Sequence, residues 1–313
     1  MVKVDLITGF LGSGKTTFIK KYAKYLIDSG KNIGILENDY GAVNVDMMLL
    51  QDLMGDQCEL EMVSGGCDKD CHRRRFKTKL IAMGMCGYDR VIVEPSGIFD
   101  VDEFFDILHE EPLNRWYQIG NVIAIVDSKL ESDLSDEADF ILASEVADAG
   151  CIVLSKTQEA SEKYIENTVK HLNRALEAVH CKRKFGEDEI IRKDWEQFET
   201  EDFERILNSG YIAEDYEKMS LDEKEVFKSL YFMDLEISGE ELRDAAQKIM
   251  QDPACGSVFR IKGFTQEPDG NWTELNATHH EITQCPIAEG QKVIIVIGEQ
   301  PDEEMIKKYF GTD

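Results

Sequence analysis

The chain has 313 residues, which is long for one compact domain and sufficient for two domains that each bury a core. Its 35 lysines and arginines are outnumbered by 62 aspartates and glutamates, and the net charge of −27 argues against binding to nucleic acid or to an anionic membrane. No secretion-type apolar segment opens the sequence, and its uncharged apolar runs are too short to cross a bilayer. We therefore expect a cytoplasmic protein with no nucleic-acid partner and no membrane partner.

In chain order, the first half alternates short apolar strands with longer helical stretches. The sequence predicts strands at 4–8, 33–36, 59–63, 90–94, 122–126 and 152–155. It predicts helices at about 15–29, 72–85, 101–109, 135–148 and 159–178. Because the strands are apolar on both faces, they indicate an α/β fold with a mainly parallel sheet flanked by helices. Ligands of such sheets bind at the carboxyl ends of the strands.

The second half changes character at residue 187. Residues 187–225 are acid-rich and weakly periodic, which indicates a solvated connector with some helix. Beyond them the sequence predicts strands at 229–237, 257–264, 272–277, 280–284 and 292–298. It predicts helices at 239–250 and 302–310. This order is typical of a smaller α+β domain with a largely antiparallel sheet. The predicted organisation is a nucleotide-binding domain at 1–186, the connector at 187–225 and a C-terminal domain at 226–313.

The segment GFLGSGKT, from Gly9 to Thr16, supports a nucleotide-binding role for the first domain. It fits the phosphate-binding pattern G-x-x-x-x-G-K-[ST] of P-loop NTPases and lies between a predicted strand and a predicted helix, as that motif requires. Its glycines let backbone N–H groups turn toward phosphates at the positive end of the helix. We expect the nucleotide to contact Gly12, Ser13, Gly14, Lys15, Thr16 and Thr17. Lys15 is expected to act catalytically on the β- and γ-phosphates, and the Thr16 hydroxyl to bind Mg²⁺.

Carboxylates follow two of the predicted strands and are candidates for the same magnesium site. Glu37 and Asp39 come directly after one strand, and Glu94 ends another. An acid at the tip of a buried strand can hold Mg²⁺ or orient the attacking water, and we assign Glu94 this catalytic role. The alternative is a helix cap, because Ser96 and Asp100 precede a predicted helix.

A second cluster, GGCDKDCHRRR, places Cys67, Cys71 and His72 within six residues. Thiolate and imidazole ligands suit Zn²⁺, with Co²⁺ or Ni²⁺ as alternatives. Two thiols and one imidazole leave a fourth ligand position, for which Glu37 or Asp39 are candidates. The alternatives are the start of a solvated helix at His72 and a redox pair of cysteines, although redox pairs more often have the spacing C-x-x-C.

The motifs TGFLGSGKTT, ENDYG (37–41) and EPSG (94–97), the cysteine-bearing loop and the C-terminal series RIKGF, DGNWTELN and VIIVIG occur together. In this combination the chain resembles the CobW-type P-loop GTPases, which are related to the nickel-insertion GTPases UreG and HypB. The resemblance implies a domain that hydrolyses GTP with Mg²⁺, zinc or cobalt as cargo, and a C-terminal domain that helps to recognise a client metalloprotein. It also implies a nucleotide-dependent homodimer.

The chain departs from the family pattern in two places. The guanine-reading segment Asn-Lys-x-Asp corresponds to residues 155–158, where Lys156 is retained and Gln158 replaces the carboxylate that pairs with guanine. This change narrows the expected preference for GTP over ATP, with Lys156 and Gln158 still expected at the base. The metal loop has Cys67 and Cys71 in place of the family's Cys-x-Cys-Cys.

These observations lead to one leading hypothesis and two alternatives. The leading hypothesis is a nucleotide hydrolase, with GTP as the first choice, that couples hydrolysis to the handling of zinc or cobalt or to their insertion into an unidentified client. The first alternative is a nucleotide-dependent activator of a corrinoid or other metallocofactor enzyme that transports no metal. The second is a P-loop kinase of a small molecule.

Overall fold

The computed structural model of the protein describes residues 1–10, 12–39, 49–64, 69–95, 101–131, 134–214, 227–267, 269–279, 281–287 and 290–311. The chain divides into two compact units, Met1–Met219 and Ser220–Asp313. Among the described residues, no helix combines the length and the apolar character needed to span a bilayer.

A seven-stranded sheet forms the centre of the first unit. Its strands are β1 (Val2–Thr8), β2 (Ile33–Asp39), β3 (Cys58–Ser64), β4 (Arg90–Pro95), β5 (Tyr117–Asp127), β6 (Cys151–Ser155) and β7 (Ile190–Ile191). They lie in the order β3-β2-β4-β1-β5-β6-β7, and the neighbouring strands pair in parallel. Because β1 is central, the loop that follows it opens between the ends of β4 and β5.

Helices flank this sheet. They are α1 (Lys15–Asp28), α2 (Lys69–Met83), α3 (Val101–His109), α4 (Leu113–Trp116), α5 (Asp136–Ala147), α6 (Glu162–Ala178) and α7 (Thr200–Leu207). In α1 the buried side chains recur at helical spacing, from Phe18 and Ile19 through Tyr22 to Leu26, which turns one stripe of the helix onto the sheet. α5 begins where the Ser135 side chain accepts a hydrogen bond from the Ala138 N–H at 3.0 Å.

The first part of the predicted connector belongs to the first unit in the structure. Ile190 and Ile191 form the edge strand β7 beside β6, and Ile206 of α7 lies in the hydrophobic core with no exposed surface. After α7 the chain contacts β5, where the Gly210 carbonyl accepts a hydrogen bond from the Val122 N–H at 3.0 Å. Apolar residues spaced among many acids are sufficient for this packing, whereas the charge pattern predicted a solvated connector with some helix. Residues 215–226 of the connector lie outside the described residues.

The second unit combines one antiparallel sheet with two described helices. Its elements are β8 (Phe227–Met233), α8 (Gly239–Gln251), β9 (Ser257–Gln266), β10 (Trp272–Ala277), β11 (Ile282–Ile287), β12 (Val293–Glu299) and α9 (Glu303–Tyr309). The strand order is β11-β10-β9-β12-β8. Both helices contribute buried residues to the core of this unit, including Leu242, Ile249 and Ile306. The α/β class of the first unit and the antiparallel C-terminal sheet are both confirmed.

Candidate functional site

The loop after β1 has the backbone geometry that a phosphate-binding loop requires. Gly9, Gly12 and Gly14 have φ angles of 141°, 78° and 96°, which L-residues with side chains rarely adopt. A Cβ added to Gly9 would lie 2.2 Å from the Ile125 carbonyl oxygen, so the tight packing of the loop against β5 also excludes a larger residue. The Gly9 N–H donates to the Glu145 carboxylate at 2.9 Å, which fixes the first residue of the loop.

The loop leads directly into the amino end of α1. Gly14 caps the helix, and its carbonyl accepts from the Phe18 N–H at 3.0 Å. The first turn of α1, whose residues are all described, contains no acidic side chain, so the N–H groups of its first turn keep their attraction for an anion. The Ser13 hydroxyl is buried and has no hydrogen-bond partner among the described residues. These groups suit a phosphate chain.

Lys15 is folded back into this loop. It is 9% exposed, and its Nζ donates to the Gly9 carbonyl at 2.8 Å. A buried ammonium group within the phosphate-binding loop is positioned to neutralise phosphate charge after a short rotation of its side chain. Gly12, Ser13, Gly14, Lys15, Thr16 and Thr17 are thus brought together around one loop, while Leu11 lies outside the described residues.

Two carboxylates meet at the neighbouring strand ends. Glu37 of β2 lies opposite Glu94 of β4 in the parallel register, and both side chains are buried. The Thr16 hydroxyl donates to Glu94 Oε1 at 3.1 Å. One hydroxyl and two carboxylates are hard oxygen donors, so the set fits Mg²⁺ rather than a thiophilic metal. Asp39 ends β2, but its side chain lies outside the described part, as do Ser96 and Asp100, on which the capping alternative rests.

The metal-loop helix α2 is tied to the same edge of the sheet. Asn38 of β2 accepts a hydrogen bond through its side-chain oxygen from Nε2 of His72 at 2.7 Å, and both residues are buried. Cys71, one residue earlier in α2, is partly exposed. Cys67 lies outside the described residues. Within the described ranges, no group of three or more His, Cys, Asp and Glu side chains has metal-binding geometry, so the ligand roles of Cys67, Cys71 and His72 stay predictions.

A second set of contacts holds α2 through two basic side chains. Arg73 and Lys77 each lie 2.5 Å from a carboxylate oxygen of Glu110, which follows α3. The hydrogen bond from Lys77, reinforced by the charges of Lys77 and Arg73, lowers the pKa of the Glu110 carboxyl. The metal-loop helix is therefore attached both to β2 and to the segment that follows the Glu94 strand.

The predicted base-reading segment lies at the end of β6. Lys156 has a φ of 54°, and its Nζ lies 2.8 Å from Asp127 Oδ2 at the end of β5. Gln158 is exposed within the short 3₁₀ turn Thr157–Glu159. The Ser155 hydroxyl donates to the Val126 carbonyl at 3.4 Å. The segment thus follows β6, which is separated by β5 alone from β1, the strand that precedes the phosphate-binding loop.

Three residues of this region are absent from the sequence-based prediction. Asp127 follows the apolar strand of β5, and the rule that identified Glu94 could have found it. Glu145 is the one acid of α5 beyond its first turn, and an acid among buried apolar helix residues is itself a signal. Asn38 lies between two predicted ligands, but nothing in its local sequence indicates the contact with His72.

The family model described as "CobW/HypB/UreG, nucleotide-binding domain" matches residues 3–185. The chain belongs to the CobW/HypB/UreG family. The predicted family is therefore confirmed, together with the assignment of a P-loop NTPase domain to the first half of the chain.

This CobW/HypB/UreG chain is similar to several characterised relatives. It is 30% identical over 172 residues to the zinc chaperone YjiA of Escherichia coli, covering 51% of this chain and 51% of that protein. It is 21% identical to the zinc-regulated GTPase metalloprotein activator 1 of Schizosaccharomyces pombe, covering 94% of this chain and 79% of that protein. The solved structure of Zn(II)-bound YjiA GTPase from E. coli aligns at 20% identity over 99% of this chain and 98% of that chain, with a TM-score of 0.39.

The extent of these matches differs between relatives. The chain matches about half the length of the E. coli zinc chaperones YjiA and YeiR, 51% and 48% respectively. What those proteins bind and deliver is a property of the relatives, and it enters the function of this chain as a proposal.

Proposed function

We propose that this CobW/HypB/UreG chain hydrolyses GTP with Mg²⁺ and uses its nucleotide state to control the handling of zinc for a client metalloprotein. The observation that supports this most directly is a connected series of contacts from the phosphate-binding loop to the metal-loop helix α2. Thr16 bonds to Glu94, Glu94 lies beside Glu37 on the adjacent strand, and the next residue, Asn38, bonds to His72. A change at the γ-phosphate has a short path to the predicted metal ligands.

The residues around the phosphates have separate roles in this proposal. Thr16 and Glu37 would hold Mg²⁺, with Asp39 as a further predicted ligand, and the ion would supply charge neutralisation at the β- and γ-phosphates. Lys15 would leave the Gly9 carbonyl and bind the phosphate oxygens. Glu94 would orient the attacking water, because its carboxylate is buried at the strand end and already accepts from Thr16.

Zinc is the cargo favoured by this proposal. Thiolates from Cys67 and Cys71 with the imidazole of His72 form a ligand set that suits Zn²⁺, and Co²⁺ is the alternative cargo. Several relatives carry zinc in their names, including YjiA and YeiR. To bind zinc through Nε2, His72 would have to release Asn38, so metal binding would act back on β2 and on Glu37. Reciprocal coupling of this kind is what linkage between two sites requires.

The base-reading segment supports GTP as the preferred nucleotide, with ATP as the alternative. Lys156 is held by Asp127 beside the predicted base site, whereas the exposed amide of Gln158 offers guanine no carboxylate. Relatives include proteins named as GTPases. The client is predicted to contact the C-terminal unit, and a homodimer formed across the nucleotide face is predicted to depend on GTP.

The decisive experiment measures GTP and ATP hydrolysis with Mg²⁺, with and without one equivalent of Zn²⁺ or Co²⁺. We expect zinc to change the GTP turnover of the unmodified chain and to have no effect on the Cys67→Ala and Cys71→Ala variants. Cys285→Ala is the matched control, because Cys285 is an exposed thiol in the other unit. If the rate of hydrolysis does not change with metal in the unmodified chain or in any variant, metal coupling is contradicted. The remaining function would be a nucleotide switch that acts on an unidentified partner. Size-exclusion chromatography with a non-hydrolysable GTP analogue tests the dimer separately.

A further inference from the structure

Trp195 lies in a place that neither the motifs nor the family match assigns. It begins the short 3₁₀ turn Trp195–Gln197, four residues after the end of β7. Its indole N–H donates to the Leu154 carbonyl at 2.9 Å, and Leu154 immediately precedes the base-reading segment. The loop after β7 therefore delivers an aromatic ring to the carboxyl end of β6, which is the edge where ligands of parallel sheets bind.

The far edge of the same indole reaches the phosphate-binding loop. A Cβ placed on Gly14 would lie 3.5 Å from Cη2 and 3.8 Å from Cζ3 of Trp195, and 3.8 Å from Cβ of Ser155. The rings of Trp195 and Phe18 meet edge to face, with centroids 5.6 Å apart. The indole therefore spans the gap between the start of α1, which bears the phosphate-binding residues, and the end of β6, which bears Lys156.

The turn that carries the ring is fixed by two contacts. The Asp194 carboxylate accepts from the Glu196 N–H at 3.0 Å and so fixes the turn that begins at Trp195. Glu196 in turn lies 2.7 Å from Lys21 Nζ of α1. Trp195 packs against the hydrophobic core of this unit and is nevertheless only half-buried. A fixed aromatic ring with an accessible surface needs little ordering when a flat ligand packs on it.

We propose that Trp195 binds the nucleobase and supplies affinity for it, an inference that rests on the proposed nucleotide function of the same site. The phosphates would lie at the amino end of α1, and the purine would extend from them onto the indole, with Lys156 beside it. Every base has a π-face, so packing on an indole adds affinity without distinguishing guanine from adenine. Together with Gln158 in the base-reading segment, this arrangement gives affinity for the base with modest preference for GTP over ATP.

The test separates binding of the base from binding of the phosphates. Calorimetry is used to measure the affinity of the unmodified chain, Trp195→Ala and Trp195→Phe for GDP, ADP and inorganic tripolyphosphate, each with Mg²⁺. We expect Trp195→Ala to bind GDP and ADP about 5- to 150-fold more weakly, the range that alanine substitution of base-stacking residues produces, with tripolyphosphate affinity unchanged. Trp195→Phe keeps a ring and should stay within about threefold of the unmodified chain.

Fluorescence provides a measurement that does not depend on the stability of the alanine variant. Trp116→Phe is the matched control, because Trp116 is another half-buried tryptophan of the same unit, outside the base site. We expect GDP, but not tripolyphosphate, to quench the emission of Trp116→Phe, and the same quenching to be absent from Trp195→Phe.

Three results would overturn the proposal. In the first, Trp195→Ala binds GDP as tightly as the unmodified chain. In the second, the affinities of Trp195→Ala for GDP and for tripolyphosphate fall equally, which would give Trp195 a packing role at the phosphate-binding loop. In the third, the unmodified chain binds tripolyphosphate with no gain from a nucleoside, which refutes a base site while the phosphate site stands. A chain that binds no phosphate compound would refute the proposed function as well.

Discussion

Replacing Asn38 by alanine is the most direct test of the contact that joins β2 to the metal-loop helix. Asn38 Oδ1 and His72 Nε2 are 2.7 Å apart, and the residues are 1% and 2% exposed. The substitution leaves a buried ring nitrogen without its amide acceptor. A buried polar group that loses its partner costs about 1–3 kcal/mol, so the free energy of unfolding of the first unit should fall by about that amount.

The same substitution should weaken the response to metal more than it weakens hydrolysis itself. α2 would remain attached through Glu110, but its amino end, which carries Cys71, would lose its link to the strand of Glu37. We expect the effect of zinc on GTP turnover to be reduced at least fivefold relative to the unmodified chain. Urea denaturation followed by far-UV circular dichroism measures stability, and phosphate release with and without Zn²⁺ measures the coupling.

Asn32→Ala is the control for this experiment. Asn32 precedes β2 at its opposite end and is partly exposed, so its loss should change the unfolding free energy by about 0.5 kcal/mol or less. If Asn38→Ala matches Asn32→Ala in both stability and zinc response, the contact with His72 carries neither the fold nor the coupling, and the proposed path is refuted.

Three further predictions concern the first unit. Arg90→Met removes the charged partner of Asp5, which is wholly buried, so the unfolding free energy should fall by about 3–5 kcal/mol in urea denaturation. Gly9→Ala should fold but bind GDP at least tenfold more weakly by calorimetry, because its Cβ would meet the Ile125 carbonyl oxygen at 2.2 Å. Burial raises the pKa of the Cys151 thiol to about 11 from an ordinary 9.0; the unfolded chain therefore ionises first as pH rises, and stability should fall between pH 9 and 11. Cys151→Ala should flatten that fall by about 2–3 kcal/mol, and an unchanged pH profile would contradict this assignment.

Local sequence patterns were sufficient to predict most of the first unit and part of its site. The strands of the sheet are apolar runs that can be identified from the local sequence alone. The phosphate-binding loop can be identified in the same way, because it requires glycines at fixed spacing. Thr16, Glu37 and Glu94 follow from the rule that ligands gather at strand ends, and the structure brings these three together.

The contacts that were not predicted join residues far apart in the chain. Asp5 and Arg90 pair across 85 positions, and Asn38 and His72 across 34. Neither member of such a pair shows a local pattern, because its environment is set by which strands become neighbours. Strand β7 was missed for another reason. Its two residues are too few to show the alternation on which strand prediction depends.

The position of β7 also determines where this chain can be cut. The family match ends at residue 185, five residues before the edge strand that covers β6. A fragment that stops there would expose the hydrogen-bonding edge of β6 and remove the apolar cover that Ile206 gives the core. Bare edges of this kind pair with other chains, so the shorter fragment should aggregate, while one that extends to residue 214 should stay monomeric at the same concentration. The smallest autonomous nucleotide-binding piece is therefore longer than the region that the family model matches.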